Sequence, residues 1–296
     1  MASTDADLAT SPPRLAAPAN AARTIQRFIQ TAVSGADADG AVVNLSGGID
    51  STLTATLATR ALGSDRVTGL ILPATINADE NMDDAVHVAE ELVIDHAVIP
   101  IQDVLDAFIT SATTRTVDLE SDPMTDSTAR ATVPTKRRKH YTEAVGNAAA
   151  RLRMCHAYFE ANTTDSIVLG TGNRTELELG YFTKHGDGAA DVLPIGPLFK
   201  SEVRQLAAHV DVADRIIEKE PTAGLWAGQA DEVELGATYE RIDTILWNLL
   251  EVGASTAAIA EAVDCERETV ERFARMRADA DHKRTPPPAP DGFDRC

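Results

Sequence analysis

Lysine is scarce in this chain: Lys136, Lys139, Lys184, Lys200, Lys219 and Lys283 are the only six in 296 residues. With 46 acidic against 27 basic side chains the net charge is -19. Such a surface repels a nucleic-acid backbone unless its cations cluster strongly, so a nucleic-acid partner is not expected. An acidic, lysine-poor surface suits concentrated salt, where the screening length falls to roughly 3 Å at 1 M and self-repulsion is tolerated; a halophilic source is the expectation. Cysteine is equally sparse. Cys155, Cys265 and Cys296 are odd in number and widely spaced, which fits neither a disulfide framework nor a zinc site and points to a cytoplasmic location. No run is long and apolar enough to cross a bilayer, so no membrane partner is expected. Residues 1–20 are rich in Ala, Ser, Thr and Pro, without a basic start or an apolar segment, and read as a disordered tail and not a signal peptide.

What is present is enough apolar material, 44% of residues, to bury a sizeable core. The expectation is one catalytic domain over residues 21–285, followed by a Pro-rich tail over 286–296. Its organising stretch is Ala41 to Leu62. An apolar run meets Ser46-Gly47-Gly48-Ile49-Asp50-Ser51 and then an alanine-rich helical segment, giving strand, phosphate loop and helix. Adjacent glycines let the backbone approach an anion, and the helix start adds unpaired N–H groups and a favourable dipole. Ser46 and Ser51 add hydroxyl donors, and Asp50 can hold a hard cation such as Mg²⁺ against the same phosphates. The loop is neither a Walker loop nor a dinucleotide fingerprint, because the Gly-Lys-Ser/Thr ending and the Gly-x-Gly-x-x-Gly spacing are missing. It resembles the loop of ATP pyrophosphatases, which cleave ATP between its α and β phosphates.

Along the chain, helical spacing of Ile25, Phe28, Ile29, Ala32 and Val33 predicts a helix ahead of the first strand. Strands are expected at 67–72, 97–101 and 166–170, and helices at 79–92, 143–162, 200–209, 237–251 and 266–280. Strand and helix alternate, which implies an α/β fold with a doubly wound parallel sheet flanked by helices and ligands outside the carboxyl ends of its strands. Residues 113–140 are polar, carry Pro123 and Pro134 and hold Lys136-Arg137-Arg138-Lys139; they read as a mobile lid loop. Arg151 and Arg153 cannot share one face of their helix, so only one reaches a given ligand.

The second block that carries chemistry runs from Thr171 to Lys200. Glu176 follows a strand and should stand at the same sheet edge as Asp50, where two carboxylates would share one Mg²⁺. Lys184 and Lys200, two of the six lysines within seventeen residues, place cations where charge develops on a leaving pyrophosphate. Ser46 to Ser51, Asn147 with Arg151-Leu152-Arg153-Met154, Thr171 to Asp191, Lys200, Pro221 to Trp226 and His282-Lys283 together resemble NAD synthetase, over about residues 22–286 and in the family's motif order.

The resemblance implies that Asn44, Leu45, Ser46, Gly47, Gly48, Ile49, Asp50 and Ser51 grip ATP, the co-substrate, together with Thr171, Lys200 and Thr222. Asp50 and Glu176 would hold Mg²⁺; Asp50, Lys200 and Lys184 would be catalytic; Arg151, Lys184, Asp191, His282 and Lys283 would contact deamido-NAD. The implied reaction is ATP-dependent amidation of deamido-NAD by ammonia through an NAD-adenylate, in a homodimer. Asn44 stands where the family usually has glycine, and Ala149 where a lysine is expected. Glutamine as nitrogen donor would need a second site with an activated cysteine, and none of the three cysteines lies beside a glycine-rich elbow. The alternatives are another amidase or thiolating enzyme with the same loop, or a DNA-binding regulator built on residues 255–276; Glu261, Glu266, Glu268 and Glu271 in that segment argue against the second.

Overall fold

Four strands, β1 (Gly40–Asn44), β2 (Val67–Ile71), β3 (Asp95–Val98) and β4 (Ser166–Leu169), form one parallel sheet in the order β3-β2-β1-β4. The computed structural model describes residues 8–74, 79–113, 135–222 and 230–289. After β3 the chain returns past β1 and lays β4 on its other side. The winding therefore reverses between β1 and β4, and a crevice opens beyond their carboxyl ends.

The pleat sends alternate residues to opposite faces. Ala41 and Val43 pack with Ile29 of α1 (Pro18–Gly35) and with Leu53 and Leu57 of α2 (Ile49–Leu62). Val42, Leu70 and Val168 face the other way. There they meet Leu105 of α4 (Gln102–Thr113) and Ala149, Met154 and Ala157 of α5 (Thr135–Thr163). Each fully buried Leu or Ile contributes roughly 1.5–3 kcal/mol, so both layers are firmly held. The crossover between β2 and β3 is α3 (Asp79–Glu91).

Helix α2 is buried almost all round although it carries four threonines. Their hydroxyls donate back to the carbonyls one turn earlier, as in Thr52 to Gly48 and Thr56 to Thr52 at 2.9 and 2.8 Å, so none of the four threonine hydroxyls is stranded.

Past β4 come α6 (Arg174–Leu179), α7 (Lys200–His209), α8 (Asp214–Ile217) and α9 (Asp231–Leu235). The chain closes with α10 (Tyr239–Trp247), α11 (Thr256–Ala262), α12 (Arg267–Asp279) and α13 (Asp281–Arg284). Tyr239, Ile245, Ile259, Val270 and Phe273 build a third apolar cluster there, reached by Leu179 and Phe199. The helices over 255–276 thus use their apolar positions as core. Among the described residues no helix is long and apolar enough to cross a membrane.

Three boundaries differ from expectation. Residues 8–17 of the supposed tail are fastened by two side-chain amides, each acting as a peptide group would. Asn248 Oδ1 accepts from the Ala9 N–H at 2.9 Å and its Nδ2 donates to the Ala9 carbonyl at 2.8 Å. Gln205 brackets Leu15 in the same way at 2.7 and 3.2 Å. Helix α1 begins at Pro18, inside the expected tail, because proline's fixed φ suits a first helical turn. The proposed lid ends early: α5 starts at Thr135, right after Pro134, and takes in the 136–139 cluster, whose Lys and Arg are good helix formers. Residues 114–134 lie outside the described residues. Strand β3 sits at Asp95–Val98 instead of 97–101 because Pro100 has no N–H for the ladder.

Candidate active site

The loop after β1 ends on Gly48, the N-cap of α2, which offers no side-chain acceptor to the first helical turn. Those N–H groups are left for an anion. The serines form a local web: the Ser46 and Ser51 hydroxyls lie 3.1 Å apart, the Ser46 N–H donates to Ser51 Oγ at 3.2 Å, and Ser51 Oγ donates to the Gly48 carbonyl at 3.0 Å. Gly47 has φ +74°, and a Cβ there would stand 2.2 Å from the Asn81 carbonyl oxygen. Only glycine meets both constraints. Helix α3 therefore closes against the loop.

Across the crevice, Asn173 and Glu176 form a capping box on α6. Asn173 Oδ1 accepts from the Glu176 N–H at 3.0 Å, and Glu176 Oε2 accepts from the Asn173 N–H at 3.3 Å. Asn173 Nδ2 donates to Asp50 Oδ1 at 2.9 Å. That leaves one oxygen of each carboxylate for Lys200, at the first turn of α7. Its ammonium donates to Asp50 Oδ2 and lies 3.4 Å from Glu176 Oε1, over the Tyr239 ring at 5.1 Å. Lys200 is only 3% exposed. Burial and the Asp50 charge push Glu176 up to about 8 even though Lys200 opposes the shift. Burial alone would lower the Lys200 pKa, but Asp50 and Glu176 outweigh it and hold the ammonium above its ordinary range.

Asp50 and Glu176 each direct one carboxylate oxygen at the same cationic centre, now the Lys200 ammonium. Among the described residues no group of three or more His, Cys, Asp or Glu converges. Two carboxylates with substrate phosphates completing the shell is the way Mg²⁺ is commonly held, so the donor set fits.

A second group gathers around residues 180–184. Arg151 donates to the Lys184 carbonyl from Nε and from its guanidinium NH₂ at 3.3 and 3.1 Å. Lys184 Nζ donates to the His282 carbonyl at 2.5 Å and sits 3.3 Å from its Nδ1. Lys283 Nζ donates to the Gly180 and Phe182 carbonyls at 2.6 and 2.9 Å. Arg151, Lys184, His282 and Lys283 therefore do come together, with Lys283 shaping the loop from below. Asp191 is employed elsewhere: its Oδ2 accepts from the Val168 N–H at 2.7 Å and its Oδ1 from Tyr158 at 3.0 Å, tying the loop to β4. Arg153 points away and donates to the Leu72 carbonyl at 2.9 Å.

Thr171 lies in the turn after β4, and Thr222 is exposed and borders residues 223–229, which fall outside the described residues together with Trp226. The Asn44 Oδ1 is buried at the end of β1 and has no hydrogen-bond partner among the described residues. Two residues of the crevice are not singled out by the sequence, and Lys219 carries no local signal of its role. Lys219 pairs with Asp84 and reaches to 3.5 Å from the Gly47 carbonyl, bringing the 219–222 segment to the phosphate loop. Asn173 does have a signal, the Asn-x-x-Glu spacing of a helix start, but its contact with Asp50 does not follow from that spacing.

A family model described as NAD synthase matches residues 21–287, nearly the whole described fold. The chain belongs to the NAD synthase family. It is similar to the NH(3)-dependent NAD(+) synthetase of Halobacterium salinarum, at 42% identity over 266 residues, covering 90% of this chain and 91% of that relative. The enzyme of that description from Methanocaldococcus jannaschii is 43% identical over 267 residues, covering 90% and 95%. Among solved structures, the NMN synthetase from Francisella tularensis superposes with a TM-score of 0.76 at 35% identity, covering 93% of this chain and 99% of that one. The parallel sheet, its flanking helices and the loop at its switch point are thus the NAD synthase architecture.

Proposed function

We propose how this chain carries out the ammonia-dependent, ATP-consuming amidation of deamido-NAD that completes NAD formation. The observation that supports the assignment is the meeting of Asp50, Glu176 and Lys200 beside the phosphate loop. The residues from Asn44 to Ser51 hold ATP through the α2 N-terminus and the serine hydroxyls, with Thr171 and Thr222 at the rim. One nicotinate carboxylate oxygen attacks the α-phosphorus, and the bond to the bridging oxygen breaks with its electron pair leaving on pyrophosphate. Lys200 faces that developing charge from a desolvated position, where a cation acts far more strongly than in water. Ammonia then attacks the carbonyl carbon of the NAD-adenylate, AMP leaves with the former carboxylate oxygen, and the amide nitrogen releases a proton. No covalent enzyme intermediate is needed; the protein orients and neutralises.

Asp50 and Glu176 would hold Mg²⁺, which when bound neutralises phosphate charge during adenylation. Arg151, Lys184 and the His282-Lys283 pair form the wall assigned to deamido-NAD, in which Lys184 presents the loop that Arg151 and Lys283 brace, while Asp191 ties that loop to β4. A homodimer is favoured by Val104 and Phe108, one turn apart on α4, and Phe159 on α5, apolar side chains 47%, 51% and 70% exposed that a second copy would cover. Light scattering at the mass of one chain would refute it. A cytoplasmic, high-salt setting follows from the cysteine usage and the net charge of -19. Thermal stability should then rise from low to molar KCl, and a flat or falling midpoint would contradict this.

The activity is tested by mixing the protein with ATP, Mg²⁺, deamido-NAD and ammonium. AMP and NAD should appear in equal amounts, and both should vanish in Asp50→Ala. Release of ADP, or faster turnover when nicotinate mononucleotide replaces deamido-NAD, would overturn the assignment.

A further inference from the structure

The three charged residues assigned to adenylation all stand at helix starts: Asp50 in the first turn of α2, Glu176 in the first turn of α6 and Lys200 at the first residue of α7. The N-cap of α7 is Phe199, which has no side-chain acceptor. The work falls to residues far away in sequence. The Lys200 N–H donates to Thr175 Oγ1 at 2.9 Å, and the Ser201 N–H donates to Asp243 Oδ2 at 2.8 Å. Thr175 Oγ1 in turn donates to Asp243 Oδ1 at 2.5 Å. A single carboxylate on α10 thus fastens the residue before Glu176 and the two N–H groups that start α7. Asp243 and Thr175 are both 0% exposed. Among the described residues Asp243 makes no ion pair, and a buried carboxylate without a cation costs stability that an apolar side chain would not. Burial pushes it up to about 6, with the Thr175 and Ser201 hydrogen bonds acting the other way. A group kept at that cost in the core, with both oxygens spent on the first turns of two site-bearing helices, is explained by geometry better than by stability.

We propose that Asp243 is a positioning residue for adenylation, clamping α6 and α7 to α10 so that Glu176 and Lys200 meet Asp50 at the phosphate loop. The proposal rests on the assignment of Lys200 to that step. It differs from a plain folding role in that Asp243 acts through Lys200.

The test is a double-mutant cycle on the full chain, with turnover measured per folded protein. In Asp243→Asn the amide keeps one acceptor but turns an NH₂ toward either the Thr175 hydroxyl or the Ser201 N–H. A displacement near 1 Å at Lys200 should lower kcat about 30-fold with little change in KM for ATP. In a Lys200→Met background, Asp243→Asn should cost less than about threefold, because the cation it positions is gone and Glu176 is still held by its capping box with Asn173. Thr175→Ser, which keeps the hydroxyl, should stay within about threefold of wild type, and Thr175→Val should fall as far as Asp243→Asn. Equal losses from Asp243→Asn in both backgrounds would make the carboxylate merely structural and overturn the proposal, as would full activity in Asp243→Asn. Should Asp243→Asn not fold, Thr175→Val in the two backgrounds decides by the same criterion. Near-normal turnover in Lys200→Met alone would instead remove the assignment of Lys200.

Discussion

Replacing Lys200 by methionine keeps the bulk of the side chain and removes its charge, and the consequences can be worked from the local geometry. The ammonium lies 3.4 Å from Glu176 Oε1, so when Glu176 is ionised their gross attraction at an effective dielectric constant near 20 is about 5 kcal/mol. Its contact with Asp50 is shorter still. Removing one partner of a buried ion pair costs roughly 3–5 kcal/mol when the other charge is left uncompensated. Here Glu176, already pushed up to about 8 by burial and by Asp50, can take a proton, so the loss of stability should fall below that range. Catalysis has no such escape. A desolvated cation facing the leaving pyrophosphate contributes on the order of 10²–10³ to kcat, in line with other preorganised charge stabilisers. The assay is AMP release at saturating ATP, deamido-NAD and ammonium, with thermal unfolding followed in parallel. A folded Lys200→Met variant with kcat within threefold of wild type would refute the electrostatic role.

Two further outcomes are expected. Gly47→Ala should abolish ATP binding while the chain still folds, because the new Cβ would fall 2.2 Å from the Asn81 carbonyl oxygen at φ +74°; titration with ATP that gives wild-type affinity would contradict the loop's role. The second concerns Asp84. Burial pushes its carboxyl up, but the hydrogen bonds and charges of Lys219 and Arg215 outweigh that and hold it below 3.8. Its stabilising contribution is therefore complete above 3.8 and is lost as pH falls through the folded value. Asp84→Asn should be less stable than wild type at neutral pH, with the gap closing on acidification, and should raise KM for ATP because Lys219 reaches the Gly47 carbonyl. A stability gap that widens in acid would show the sign to be wrong.

Most of the sheet and the phosphate loop were legible in the sequence, because short apolar runs and a Ser-Gly-Gly-x-Asp-Ser turn are local signals. The meeting of Asp50 with Glu176 could be read from their places after β1 and β4, since both follow strands that end at one crevice. Lys200 was legible as a cation beside the loop, though not its position between the two carboxylates. What stayed hidden depends on pairings across long stretches of chain. Asn248 and Gln205 hold residues 8–17 from more than 180 positions away, and nothing near Ala9 or Leu15 announces a partner. Asp243 and Lys219 look like ordinary helix and loop polar residues until the fold brings Thr175, Ser201 and Gly47 to them. The charge run at 136–139 reads as loop in the sequence because its polarity masks a helix periodicity that the apolar positions of α5 reveal only further on.

The central claim is that the carboxylate of deamido-NAD is activated by AMP transfer at the loop shared by Asp50 and Lys200. It is tested most directly with deamido-NAD carrying ¹⁸O in both carboxylate oxygens, incubated with ATP, Mg²⁺ and ammonium. If the adenylate forms, each turnover must place one ¹⁸O in the phosphate of AMP and keep the other in the amide of NAD, and Asp50→Ala and Lys200→Met must suppress that transfer. AMP free of ¹⁸O, or labelled AMP formed at an undiminished rate by both variants, would contradict the account.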